Sequence, residues 1–274
     1  MEPGNTLDGY FALAATYQEL FAAYRATGII RQLDPNDKEL VVHSDWQIPH
    51  YFNVGADAIR VIVQALLGNG RQPPRSILDF PSGSGRVTRH LRAFFPDATI
   101  VASDLYDYHV DFCREVLHVE GVLSRENIAE VEFGRQFDLI FCGSLLTHLP
   151  EPLFWDTINL LARSLTEVGV AVITVQGRHS DYIQAHKWKY LDDRLYDVAA
   201  EGVRQTGFGY VDYQHEFYKE RFNQQQRYGV ALVRPNWVLR GLEPRTDLRV
   251  LGYAERLWDD HQDVLIFGRP GVNA

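Results

Sequence analysis

Apolar residues recur near the start of the chain at helical intervals. Leu13, Tyr17, Leu20, Phe21 and Tyr24 share one face, which predicts a helix from about Tyr10 to Tyr24 with Gly28 as its stop. Ile59, Ile62, Val63 and Leu66 form a second stripe, predicting a helix over residues 55–67 that Gly68-Asn69-Gly70 ends. Between them, Asp34 to Lys38 is charged and holds Pro35, the mark of a loop, and His43 to Phe52 is rich in aromatics and histidines but has no period. The pattern changes after Pro73-Pro74. Ile77 to Phe80 is a short apolar run closing on a Gly/Ser-rich turn, and Val87, Leu91, Phe94 and Phe95 then lie on one helical face that Pro96 stops. Thr99 to Ser103, Val122-Leu123, Phe137 to Cys142 and Val170 to Val175 read as strands. Tyr108 to His118 and about Glu151 to Leu165 read as helices, with Gly169 closing the latter. Strands alternating with helices imply a parallel sheet covered on both faces.

Beyond this point the pattern weakens. Asp192 to Gln205 suits a helix ending at Gly207, and the polar run His215 to Arg227 fits either a loop or an exposed helix. Leu248 to Ala254 and Val264 to Phe267 flank a short polar connection and read as a hairpin, which gives the sheet an antiparallel edge. The expected architecture is α/β with about seven strands. Residues 1–70 form a helical N-terminal cap, and residues 71–274 form the main domain, with an insertion at about 178–228.

Composition narrows the function classes. Of 274 residues, 46% are hydrophobic and 23% charged, ordinary values for a chain that buries a core. A net charge of −9 opposes phosphate backbones, so no nucleic-acid partner is expected. No apolar run approaches the roughly 20 residues of a spanning helix, and Met1 to Asp8 carries no signal-peptide pattern, so no membrane attachment is expected. Cys113 falls in a predicted helix and Cys142 in a predicted buried strand; neither has a CxxC partner. Free thiols in a reducing cytoplasm are expected, and no zinc site.

The chemistry concentrates where the first strand meets its helix, in Ile77-Leu78-Asp79-Phe80-Pro81-Ser82-Gly83-Ser84-Gly85-Arg86. Glycines let the backbone approach a ligand, and the following helix start offers unpaired amides. Asp104 follows at the expected end of the next strand, where a carboxylate accepts hydrogen bonds from both hydroxyls of an adenosine ribose. An NAD site uses similar spacing. Three features favour S-adenosylmethionine instead: the third glycine of the dinucleotide fingerprint is absent, the motif lies after helices able to form a lid, and the sheet ends in a hairpin.

Asp79-Phe80-Pro81-Ser82-Gly83-Ser84-Gly85 resembles the first motif of class I, Rossmann-like S-adenosylmethionine-dependent methyltransferases, and Phe137 to Pro150 resembles their fourth-strand motif. Trp258 to Phe267 resembles the last two strands of a bacterial subgroup linked to glycan and small-molecule modification; the likeness spans roughly residues 50–270. It implies that Pro81, Ser82, Gly83 and Gly85, with Asp79 in the same motif, line the methionyl part of the cofactor. Asp104 then holds the ribose, Leu105 and Tyr106 flank adenine, Ser124 to Asn127 approach its edge, and Cys142, Gly143 and Ser144 pass near the sulfonium. Ser82 departs from the pattern, since many members have cysteine there, but the backbone does the binding.

Methyl transfer to a hydroxyl needs alignment and a proton acceptor. His148 follows the fourth strand at the expected carboxyl edge of the sheet and is the leading base candidate; it also suits a helix cap. His179, after the fifth strand, is a weaker candidate and also reads as a solvated loop residue. Trp46, His50 and Tyr51, beside His43, suit either a lid over the acceptor or the packing face of the cap, and Tyr228 and Trp237 either stack on an acceptor ring or pack. A metal-dependent mechanism needs clustered Asp and Asn ligands that the sequence does not supply, so no metal is expected. The leading expectation is O-methylation of a small molecule or glycan. An NAD(P)-dependent oxidoreductase and a non-catalytic binding or assembly member of the fold are the alternatives.

Overall fold

A computed structural model describes residues 6–37, 46–187, 189, 191–214 and 227–270. His43 and most of the run from His215 lie outside them. The chain opens with α1 (Leu7–Thr27), started by Thr6, whose hydroxyl accepts the Gly9 amide at 3.1 Å, and stopped by Gly28. Then come α2 (Gln47–Gly68), β1 (Ser76–Asp79), α3 (Thr88–Phe94), β2 (Thr99–Asp104), α4 (Asp107–Leu117), β3 (Glu120–Leu123), β4 (Phe137–Cys142), α5 (Glu151–Ser164) and β5 (Leu165–Val175). After β5 follow α6 (Arg178–His186), α7 (Asp193–Thr206), β6 (Phe208–Asp212), β7 (Gly229–Val233), α8 (Pro235–Leu242), β8 (Arg249–Trp258) and β9 (Gln262–Gly268).

Seven strands form one sheet in the order β3-β2-β1-β4-β5-β9-β8. The first five are mutually parallel; β9 runs antiparallel to both β5 and β8, so the terminal hairpin supplies the antiparallel edge. The near-continuous apolar runs of β1, β4 and β5 are explained by burial on two faces. Ile77, Leu139 and Val172 face one layer with Ile59, Ile62 and Phe94 of α2 and α3. Their neighbours Leu78, Ile140 and Ile173 face the other, with Phe154, Ile158 and Leu161 of α5. From β1 the chain moves outward to β2 and β3, then returns to β4 on the opposite side. The crevice at the carboxyl ends of β1 and β4 is therefore a topological switch point, where open α/β sheets bind ligands.

Three elements differ from the sequence reading. α2 begins at Gln47, so the aperiodic aromatic stretch is its first turns. Ile48, Pro49 and His50 there are exposed, which leaves no apolar stripe to read. α5 ends at Ser164 and β5 begins at once, so Gly169 lies within a strand. A Cβ on Gly169 would stand 2.6 Å from the Phe137 carbonyl, where the β4–β5 register shifts: close backbone approach, not helix termination, is its reason. Between β5 and β8 lies a separate antiparallel ribbon, β6–β7, backed by α7; its second strand falls beyond the expected insertion bounds of about 178–228.

Candidate functional site

An open cleft of about 240 Å³ lies over the switch point. Its floor is the turn after β1. Gly83 and Gly85 sit at φ 51° and 78°, conformations that penalise a side chain. They serve different ends. A Cβ on Gly83 would meet no protein atom within 4 Å, so the backbone there is open towards the cleft it lines. A Cβ on Gly85 would strike Leu117 at 2.2 Å, so that glycine lets α4 pack against the turn.

Asp104 ties this floor to the next strand. Its Oδ2 accepts the Gly83 amide at 2.9 Å and its Oδ1 the Tyr106 amide at 3.1 Å. Burial pushes its pKa up, against the opposing effect of the nearby His109 charge and the bonded amides. A carboxylate offers about four acceptor sites, so both oxygens retain capacity for a ligand's hydroxyls. Leu105, Tyr106 and Ser124 continue this wall; the Tyr106 ring is stacked on Tyr108 at 5.5 Å, and the Ser124 amide is bonded to the Asp104 carbonyl at 2.8 Å.

Gly143 and Ser144 line the cleft beyond β4. Ser144 is held at φ 59° by a ring of hydrogen bonds. Its amide donates to Thr174 Oγ1 at 2.8 Å, Thr174 donates to Gln262 Oε1 at 2.6 Å, and Gln262 Nε2 donates to Ser144 Oγ at 3.1 Å. The hairpin thus supports the cleft from behind. His148 lines it from the turn Leu146–His148. Its Nδ1 lies 2.7 Å from the Gly229 carbonyl, an acceptor only, so Nδ1 carries a proton, and in the neutral ring Nε2 is the basic nitrogen. The Tyr228 ring stacks on the imidazole at 4.7 Å and 21°. The ribbon β6–β7 and the residue before it therefore reach the cleft beside His148.

The segment from Ile30 to Asp37 covers the other side, which the sequence did not reveal. Arg89, buried in α3, donates to the carbonyls of Gly85, Ser84, Ile30 and Gln32 at 2.8–3.1 Å. Ser84 Oγ donates to Asp34 Oδ2 at 2.6 Å and meets His109 Nδ1 at 2.6 Å. Asp37 lines the cleft and accepts the Tyr51 hydroxyl at 2.9 Å. No local pattern betrays such long-range partners.

The remaining candidates lie off the cleft lining. Asp79 is buried behind the turn, bonded to Thr88 Oγ1 at 2.6 Å, and Cys142 is buried within β4. Asn127 caps the short turn at Ile128–Glu130. Trp46 is exposed, His50 pairs with Asp259 at 3.4 Å, and Tyr51 acts through Asp37. Trp237 packs among Phe154, Trp155 and Phe208, and His179 sits on α6 near Tyr182.

Comparison with known proteins bears on this geometry. A family model described as a methyltransferase domain matches residues 54–203. A malonyl-[acyl-carrier protein] O-methyltransferase of Acetivibrio thermocellus is 27% identical over 111 residues, 40% of this chain and 38% of that protein, so the match spans under two fifths of the relative. An S-adenosylmethionine-dependent methyltransferase from Clostridium acetobutylicum shares the fold at TM-score 0.53 and 14% identity, over 93% of this chain and 100% of the other. Magnesium protoporphyrin IX methyltransferase from Synechocystis PCC 6803, with bound SAH, does so at 0.51 and 14%, over 94% and 98%.

Proposed function

The chain belongs to the methyltransferase domain family, and from that premise we propose that it uses S-adenosylmethionine to methylate a hydroxyl of a small molecule or glycan. That cofactor supplies a methyl group on a positively charged sulfur. The residues present fit it. Asp104 retains acceptor capacity on both oxygens, Gly83 leaves open space above the turn, and Tyr106 offers a ring at the same wall. The family match and the missing third glycine both weigh against the oxidoreductase alternative.

The observation that supports a hydroxyl acceptor is the hydrogen bond from His148 Nδ1 to the Gly229 carbonyl beside the cleft. With Nδ1–H given to the Gly229 carbonyl, Nε2 would take the proton of an acceptor hydroxyl, while the bound cofactor would supply the methyl group and leave with the electron pair on sulfur. Tyr228 keeps the ring plane fixed, and the walls at Gly143 and Ser144 align the reactants, the larger share of such catalysis.

Labelled cofactor incubated with cell extract tests the reading. The label is expected in a small molecule or glycan, and label confined to RNA or protein contradicts it. His148→Gln is expected to lower kcat by roughly 10²–10⁴-fold, leaving cofactor affinity intact. An unchanged kcat removes the base and with it the argument for oxygen.

A further inference from the structure

The ribbon β6–β7 reaches His148 through the main chain of Gly229, and the ladder explains why that carbonyl is available. The Tyr213 amide donates to the Tyr228 carbonyl at 3.1 Å, so the next pair, Asp212 with Gly229, exchanges no ladder hydrogen bonds. The Gly229 carbonyl therefore points off the outer edge of β7. At Val233, at the same phase of the ladder, the amide leaves that edge and donates to the Gln176 carbonyl at 2.9 Å, directly after β5. One strand edge thus docks the ribbon on the carboxyl side of the main sheet, through Gln176 at one end and His148 at the other.

This position tolerates only glycine. A Cβ on Gly229 would stand 1.8 Å from the Val211 carbonyl oxygen and 2.7 Å from its carbon, so any side chain forces the strands apart or turns the carbonyl. A second group lies at the same ring nitrogen. The Tyr213 hydroxyl is 3.4 Å from His148 Nδ1, against 2.7 Å for the carbonyl. The two have opposite consequences. A carbonyl only accepts, which keeps the proton on Nδ1. A hydroxyl can donate to Nδ1, which puts the proton of the neutral ring on Nε2 and ends its use as a base.

We propose that Gly229 is a positioning residue for methyl transfer: by holding its carbonyl nearer to Nδ1 than the Tyr213 hydroxyl, it selects the tautomer in which His148 can take a proton. The inference rests on the base reading of His148 above. It makes the base depend on an element outside the seven-stranded sheet, so that docking of the ribbon and readiness of Nε2 are one event.

Nitrogen NMR of the full chain with isotope-labelled histidine reads the tautomer without any acceptor, and His148→Gln assigns the signal. At a pH where the ring is neutral, the wild type is expected to show Nδ1–H. Gly229→Ala is expected to shift His148 towards Nε2–H and to lower kcat by roughly ten- to hundredfold, with the KM of the acceptor little changed. Adding Tyr213→Phe to Gly229→Ala removes the competing hydroxyl and should restore part of kcat, which a merely structural defect would not allow. An Nε2–H ring in the wild type overturns the proposal, and so does a Gly229→Ala variant that keeps both tautomer and kcat. A loss of kcat in Gly229→Ala that Tyr213→Phe leaves untouched overturns it too, by reducing Gly229 to a requirement of the fold. Should Gly229→Ala not fold, the wild-type spectrum still decides between the two partners of Nδ1. Full kcat in His148→Gln would remove the base reading and the inference with it, a failure told apart by a tautomer that still follows Gly229.

Discussion

Asp79 carries its carboxyl wholly inside the protein, and burial pushes its pKa up to about 7, with the Thr88 hydroxyl and the charge of Arg86 opposing that rise. The fold therefore prefers the neutral acid. Stability from this group is complete below the ordinary value of 3.8 and is lost as pH rises through about 7. Asp79→Asn mimics the neutral form and should not titrate. Urea unfolding at about pH 5 and about pH 8 is expected to show the variant gaining on the wild type by on the order of 1–3 kcal/mol at the higher pH. A gap independent of pH would mean that Asp79 is ionised in the folded protein. The same residue shows what a motif read from sequence leaves open. Asp79 belongs to the turn, yet it supports α3 from behind while Asp104 faces the cleft.

Elements that obey local rules were legible; those positioned by distant partners were not. The turn after β1 announces itself because only glycine tolerates its backbone, and Asp104 because the parallel sheet fixes where β2 must end. The hairpin and α7 follow likewise from strand alternation and from an Asp192 cap with Gly207 as a stop. The ribbon β6–β7 escaped because its strands lie far apart in the chain and each is only five residues long. The segment from Ile30 to Asp37 reads as an ordinary charged loop, and only the folded chain brings its carbonyls to Arg89. Arg89→Met is expected to leave these carbonyls unpaired and to destabilise the protein by at least about 2 kcal/mol. Hydrogen exchange should then rise first around residues 30–37. Unchanged protection there would deny that Arg89 pins the segment.

At the scale of the whole molecule, the sheet's change of direction between β1 and β4 gathers three supports around one crevice: the segment from Ile30 to Asp37, the hairpin behind Ser144, and the ribbon β6–β7 behind His148. A ligand bridging them stabilises the folded state by mass action. At a hundred times its Kd, S-adenosylhomocysteine should add about 2.7 kcal/mol, seen as a raised Tm, while NAD should add nothing. No helix among the described residues is long and apolar enough to cross a membrane. What occupies the crevice is measured directly by a crystal structure of the protein grown with S-adenosylhomocysteine. The expected result is adenosyl density over Gly83 with both ribose hydroxyls within about 2.6–3.2 Å of the Asp104 carboxylate. Density elsewhere on the protein, or a cleft closed by its own side chains at saturating ligand, would contradict it.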